Sequence, residues 1–123
     1  MSASVVWFEI PVRNLEKAAN FYGGLFGWRF DPFDEYDKNY WTIAGKRRGI
    51  GGALVLCDKE KGTRVDGCIL FIGVECLGTA LERALALGGE IETKAQQITP
   101  SAGYFATIRD VDGNMIGLWS KRE

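Results

Sequence analysis

Two stretches of this chain carry the same pattern of apolar positions, sixty-two residues apart. In the first, Val5-Val-Trp-Phe-Glu-Ile-Pro-Val12 is a β-like run. Leu15, Ala18, Ala19, Tyr22 and Phe26 then recur at the three- and four-residue spacing of an amphipathic helix. Asn14 is placed to cap that helix, and Gly27 to end it in a left-handed conformation. In the second, Cys68-Ile-Leu-Phe-Ile-Gly-Val74 precedes Glu-Cys-Leu-Gly-Thr-Ala-Leu-Glu-Arg-Ala-Leu-Ala-Leu-Gly88-Gly89. Val12 matches Val74, Leu15 Leu77, Ala18 Ala80, Leu25 Leu87 and Gly27 Gly89. The pattern predicts helices near 14–26 and 77–87, packed on a sheet through Leu15, Ala19, Tyr22, Leu77, Leu81 and Leu85. Phe21, Tyr22, Phe26 and Trp28 are expected to pack internally.

Three strand candidates follow each helix. Trp28–Phe30, Tyr40–Ala44 and Gly52–Cys57 come after the first, with turns at Asp31–Asn39 and Gly45–Gly51. Glu90–Lys94, Tyr104–Arg109 and Met115–Ser120 come after the second, with turns at Ser101–Gly103 and Asp110–Asn114. Each half therefore reads βαβββ. The chain is expected to be one α+β domain over 1–123, with repeat units at about 5–58 and 67–120 and a polar connection at about 59–66.

Composition narrows the chemistry. A formal net charge of −1 argues against nucleic acid or an anionic membrane as partner, and Lys46-Arg47-Arg48 reads as a solvated loop. No apolar run approaches the length of a membrane span, and Met1-Ser-Ala-Ser does not open a secretory signal. Three cysteines, an odd number without a C-x-x-C pair, fit free thiols in the cytoplasm. Cys68 and Cys76 lie in apolar segments and are expected to be small core residues. Histidine is absent altogether. That excludes Ser-His and Cys-His nucleophiles and the usual His-containing metal sites.

The repeat, together with Ile10-Pro-Val-Arg-Asn-Leu15, Phe21-Tyr22, Leu25-Phe-Gly-Trp28, Ala86-Leu-Gly-Gly89 and Arg109-Asp-Val-Asp-Gly-Asn114, resembles the vicinal oxygen chelate superfamily. That superfamily holds glyoxalase I, extradiol dioxygenases and bleomycin-resistance proteins. The resemblance implies two βαβββ units forming a curved eight-stranded mixed sheet, a ligand on its concave face, and a homodimer. It places the metal ligands of metal-using members at Trp7, at Ile69, at Gly117 and near Gly52 or Ala53. Indole, alkyl and glycine side chains have no lone pair for a cation. No metal and no cofactor are expected.

Glu9 alternates onto the face of Trp7 and Pro11. If that face is the concave one, Glu9 is a hydrogen-bond acceptor for a ligand, a base made stronger by burial, or a structural residue that pairs with an arginine or faces a water-filled groove. Trp7, Trp41 and Trp119 on strands, with Ile69 and Phe71, either line a ligand site or fill it. Gly117 lacks a side chain and is expected to leave room. Asp110-Val-Asp-Gly-Asn114 is a hairpin turn, since Met115 and Lys121 stand where a calcium loop needs glycine and glutamate. The expected function is binding of a small, partly aromatic or cationic molecule. The alternatives are a metal-free lyase, isomerase or epimerase with Glu9 as catalytic base, a metal-dependent enzyme with unconventional ligands, and a scaffold whose cup is filled by its own tryptophans.

Overall fold

The structure is a computed structural model that describes residues 3–45, 49–57 and 67–123. Lys46-Arg47-Arg48 and the connection at 59–66 lie outside the described residues. The elements are β1 (Ser4–Val12), α1 (Leu15–Phe26), β2 (Phe30–Phe33), β3 (Asp37–Ile43), β4 (Gly51–Leu56), β5 (Ile69–Gly73), α2 (Leu77–Ala86), β6 (Glu90–Thr99), β7 (Gly103–Arg109) and β8 (Met115–Ser120). This is βαβββ written twice. The strands hydrogen-bond in the order β2-β3-β4-β1-β5-β8-β7-β6, an eight-stranded sheet. It is mixed, because β1–β4 and β5–β8 are parallel and the hairpin pairs antiparallel. The chain divides into two compact units, residues 7–68 and residues 1–6 with 69–123.

In the unit of residues 7–68, α1 begins where the sequence places it. Asn14 is extended (φ −147°), and its Oδ1 accepts from the Lys17 N–H at 2.9 Å. Gly27 ends the helix at φ +73°, donating its N–H to the Gly23 carbonyl at 2.8 Å. Trp28 does not start a strand. Its ring turns back among Phe26 (4.9 Å between centroids), Phe8 and Tyr22 (6.0 Å each) and Phe30 (6.3 Å). The second strand therefore starts at Phe30 and runs to Phe33, inside the segment expected to be turn, and only Asp34–Tyr36 reverse the chain. Leu15, Ala19 and Tyr22 are half-buried, but Phe21 and Phe26 are exposed at 62% and 55%. At 100° per residue, Phe21 lies about 120° around the helix from Leu15. Phe26 closes the last turn, with its ring against Trp28 and Tyr22.

In the other unit, Leu77, Leu81, Ala106 and Leu118 form the core, with Ile72, Val74, Ile91 and Ile108 against it. Leu85 does not join them and is 52% exposed. It lies about 80° around the helix from Leu77, whereas Ala84 lies about 20° away and takes the inward place. The positive φ after α2 falls on Gly88 (98°) rather than on Gly89, whose missing Cβ lets the Arg109 carbonyl approach. β6 continues to Thr99 through three register shifts, which is why its alternation could not be followed past Lys94. Cys68 and Cys76 are exposed rather than in the core. Cys68 precedes β5, and Cys76 occupies the N-cap of α2, where its thiol points at the Glu123 carbonyl (3.3 Å). The hairpin turn is closed by Asp110, whose Oδ1 accepts from the N–H groups of Asp112 (2.8 Å) and Asn114 (2.9 Å).

Candidate functional site

Strand alternation gives β1 two different faces. Phe8 points to the side of α1, where its ring meets Trp28 and fills the space a side chain at Gly52 would need. Trp7 and Glu9 point the other way. Across the sheet Glu9 stands beside Ala53 and Ala53 beside Thr42, while Pro11, Val55 and Tyr40 form the next row. Alternation on β3 thus brings Tyr40 to the face of Glu9 and sends Trp41 to the opposite one. The Trp41 indole instead donates to the Lys38 carbonyl at 3.2 Å.

Trp7 Nε1–H donates to the Tyr40 hydroxyl at 2.7 Å. An indole N–H can only donate, so the phenol oxygen accepts and its own proton is left for another partner. That partner is the Glu9 carboxylate, to which Tyr40 is hydrogen-bonded. The result is a one-way relay, Trp7 to Tyr40 to Glu9. Tyr40 is buried, while Glu9 is only partly so. Burial raises the pKa of Glu9 above 4.5, and the Tyr40 hydrogen bond offsets part of that rise. Tyr40 is pushed far above its ordinary range by burial first and the negative charge of Glu9 second. No lysine or arginine among the described residues contributes to the Glu9 shift. Among the described residues it is Tyr40, and not an arginine, that holds this carboxylate.

Aromatic rings continue outward from Tyr40. The Tyr36 ring meets it edge-on at 5.4 Å between centroids, and Phe33 lies 6.3 Å from Tyr40 and 5.8 Å from Tyr36. The Asp34–Tyr36 turn produces this, with the Tyr36 N–H donating to the Phe33 carbonyl at 2.9 Å. Tyr36 is close enough for the charge of Glu9 to help raise its pKa, after burial. Sequence reasoning singled out Trp7 and Glu9 but missed Tyr40, Tyr36 and Phe33. The only signal was Phe33-x-x-Tyr36-x-x-x-Tyr40, and it says nothing until the β1–β4–β3 register is known.

The remaining candidates lie in the other unit. Ile69 is half-buried at the start of β5. The room expected above Gly117 is not there, because the Phe71 ring sits where its side chain would project. Phe71 and Gly117 are register partners, as Glu9 and Ala53 are in the first half. The Trp119 indole donates to the Ala102 carbonyl at 2.7 Å, and its Nε1 lies beside Gly103.

These residues do not fit a metal. Register identifies Ala53, not Gly52, as the counterpart of Gly117, so the four ligand positions carry Trp7, Ile69, Ala53 and Gly117. None offers a lone pair. Among the described residues no group of three or more histidine, cysteine, aspartate or glutamate side chains could hold an ion. Glu9 alone is one carboxylate where zinc needs about four ligands and calcium six or more.

Comparison with known proteins agrees with the fold. The family model for the Glyoxalase/Bleomycin resistance protein/Dioxygenase superfamily matches residues 4–118. No curated protein matches the chain by sequence. A hypothetical protein from Bacillus halodurans C-125 superimposes with a TM-score of 0.70 at 14% identity, covering 100% of this chain and 97% of that one. Methylmalonyl-CoA epimerase from Mycobacterium tuberculosis gives 0.66 at 19% identity, covering 94% and 86%. A single-residue variant of Streptomyces coelicolor methylmalonyl-CoA epimerase, in complex with 2-nitronate-propionyl-CoA, gives 0.64 at 11% identity, covering 98% and 95%.

Proposed function

Since the chain belongs to the Glyoxalase/Bleomycin resistance protein/Dioxygenase superfamily, we propose that it is a metal-free member that binds a small molecule at Glu9. One observation carries this reading. The Glu9 carboxylate is oriented by Tyr40 and receives no charge from a cation among the described residues. An ionised group held in that state lowers folding stability, and a ligand that donates to it restores the balance. Trp7 and Tyr40 fix the geometry, and Tyr36 and Phe33 supply apolar contact. We take the protein to be a cytoplasmic homodimer, a reading supported by free thiols and by the exposed Phe21, Leu25 and Phe26 of α1.

The test is a thermal-shift screen of a small library of amines, alcohols and aromatic acids against the wild type and Glu9→Gln. Binding at Glu9 predicts compounds that stabilise the wild type and lose at least about tenfold in affinity on the variant, the worth of one charge-assisted hydrogen bond. Equal stabilisation of both proteins by every active compound would remove Glu9 from the site.

A second reading makes Glu9 a base that removes a proton from carbon, as an epimerase would. Its raised proton affinity favours this. Against it, proton removal beside a carbonyl leaves negative charge on oxygen that needs a donor, and the Trp7 and Tyr40 donors are already committed within the relay. Deuterium wash-in from solvent at the carbon of methylmalonyl-CoA tests it; no exchange above the Glu9→Gln background counts against catalysis.

A further inference from the structure

We propose that the Glu9 site selects an organic ammonium ion, a substituted amine whose nitrogen lies against the rings of Tyr36, Tyr40 and Phe33 and is balanced by Glu9. This rests on the reading of the cluster as a small-molecule site and names the ligand class. It follows from how the relay uses its protons. Trp7 gives its only N–H to Tyr40, and Tyr40 gives its only O–H to Glu9. What the relay leaves for a ligand is carboxylate oxygen and aromatic face, both of which attract positive charge. A carboxylate or phosphate ligand would meet repulsion from Glu9 and gain no donor from Trp7 or Tyr40.

A bare metal ion suits the cluster less well, since among the described residues no group of three or more histidine, cysteine, aspartate or glutamate side chains could hold one. A poorly hydrated ammonium needs only one counter-charge and ring faces within about 6 Å. The three rings pack on one another with centroids 5.4–6.3 Å apart, the contact distance of aromatic pairs, so an ammonium meets their outward faces, with Tyr40 hydrogen-bonded to Glu9. Tyr36 remains 39% exposed, so this side of the cluster is open to solvent. The turn that carries it supports the sign independently: Asp34, Glu35 and Asp37 surround Tyr36 in sequence, against Lys38. Asp37 adds, after Glu9, to the negative field at the Tyr36 hydroxyl. Such a field concentrates cations beside Tyr36.

Choline and 3,3-dimethylbutan-1-ol have nearly the same shape and differ in charge. Titrating each into ¹⁵N-labelled protein while following the indole N–H signals reads binding beside Trp7. The expected result is choline binding on the order of tenfold or more tighter than the alcohol. Glu9→Gln should bring the two within about twofold. Tyr36→Leu, which leaves Glu9 in place, should weaken choline about tenfold and serves if Glu9→Gln does not fold. Equal binding of the two compounds to the wild type overturns the ammonium class and leaves the small-molecule site standing. No response to choline at tens of millimolar also overturns the class. The site itself then stands or falls on the library compounds and their dependence on Glu9.

Discussion

The Trp7 indole donates to the Tyr40 hydroxyl at 2.7 Å, and that one bond sets the direction of the relay ending at Glu9. Replacing the phenol breaks it at both ends. Tyr40→Phe leaves the Trp7 N–H without its acceptor and Glu9 without its donor. Urea unfolding should show a loss of about 1–3 kcal/mol, the cost of leaving part-buried polar groups unmade. Glu9 should also titrate higher than in the wild type, because the Tyr40 bond is what holds its pKa down.

Glu9 makes stability depend on pH with a definite sign. Its pKa is raised in the folded state above the 4.5 of a free glutamate, so the folded protein binds this proton more tightly than the unfolded chain. The contribution is complete below 4.5 and is lost as pH rises through the folded value. Melting temperatures compared between the wild type and Glu9→Gln should therefore diverge upward from pH 4.5, with the variant gaining on the wild type. A constant difference across that window would contradict a raised pKa.

Gly117 and Phe71 are coupled by contact. A Cβ at Gly117 would run into the Phe71 ring. Gly117→Ala should cost about 1–3 kcal/mol by overpacking, and much less in a Phe71→Ala background, where the space is open. Additive costs in a double-mutant cycle would mean that the ring is not the obstacle.

The two helices make the sequence reading partly right for an identifiable reason. Caps are local, so Asn14 and Gly27 could be read from the chain alone. Which turn of a helix meets the sheet is tertiary, and there Leu85, Phe21 and Phe26 were misplaced. The same division runs through the site. Alternation along one strand put Trp7 and Glu9 on a common face, but Tyr40 joins them only through the register of β3 on β4 and β4 on β1. Trp41, its neighbour in sequence, was the more conspicuous residue and points the other way. Gly117 was read as empty space because nothing in a sequence says which ring will enter it.

Packing of α2 provides a check on that division. Leu81→Ala, at a position 9% exposed, should cost about 2–4 kcal/mol. Leu85→Ala, at 52%, should change stability by no more than about 0.5 kcal/mol. Chemical denaturation of both variants decides whether the inward face is read correctly.

The central claim is that a small molecule binds where Trp7, Tyr40 and Glu9 meet. The most direct measurement is the Trp7 indole N–H resonance, assigned by its loss in Trp7→Phe, followed as compounds active in the thermal screen are added. Binding at the relay predicts that this resonance moves in a saturable way and that Glu9→Gln abolishes the movement at the same concentrations. Stabilising compounds that leave the Trp7 resonance in place, or that move it equally with glutamine at position 9, would contradict the claim.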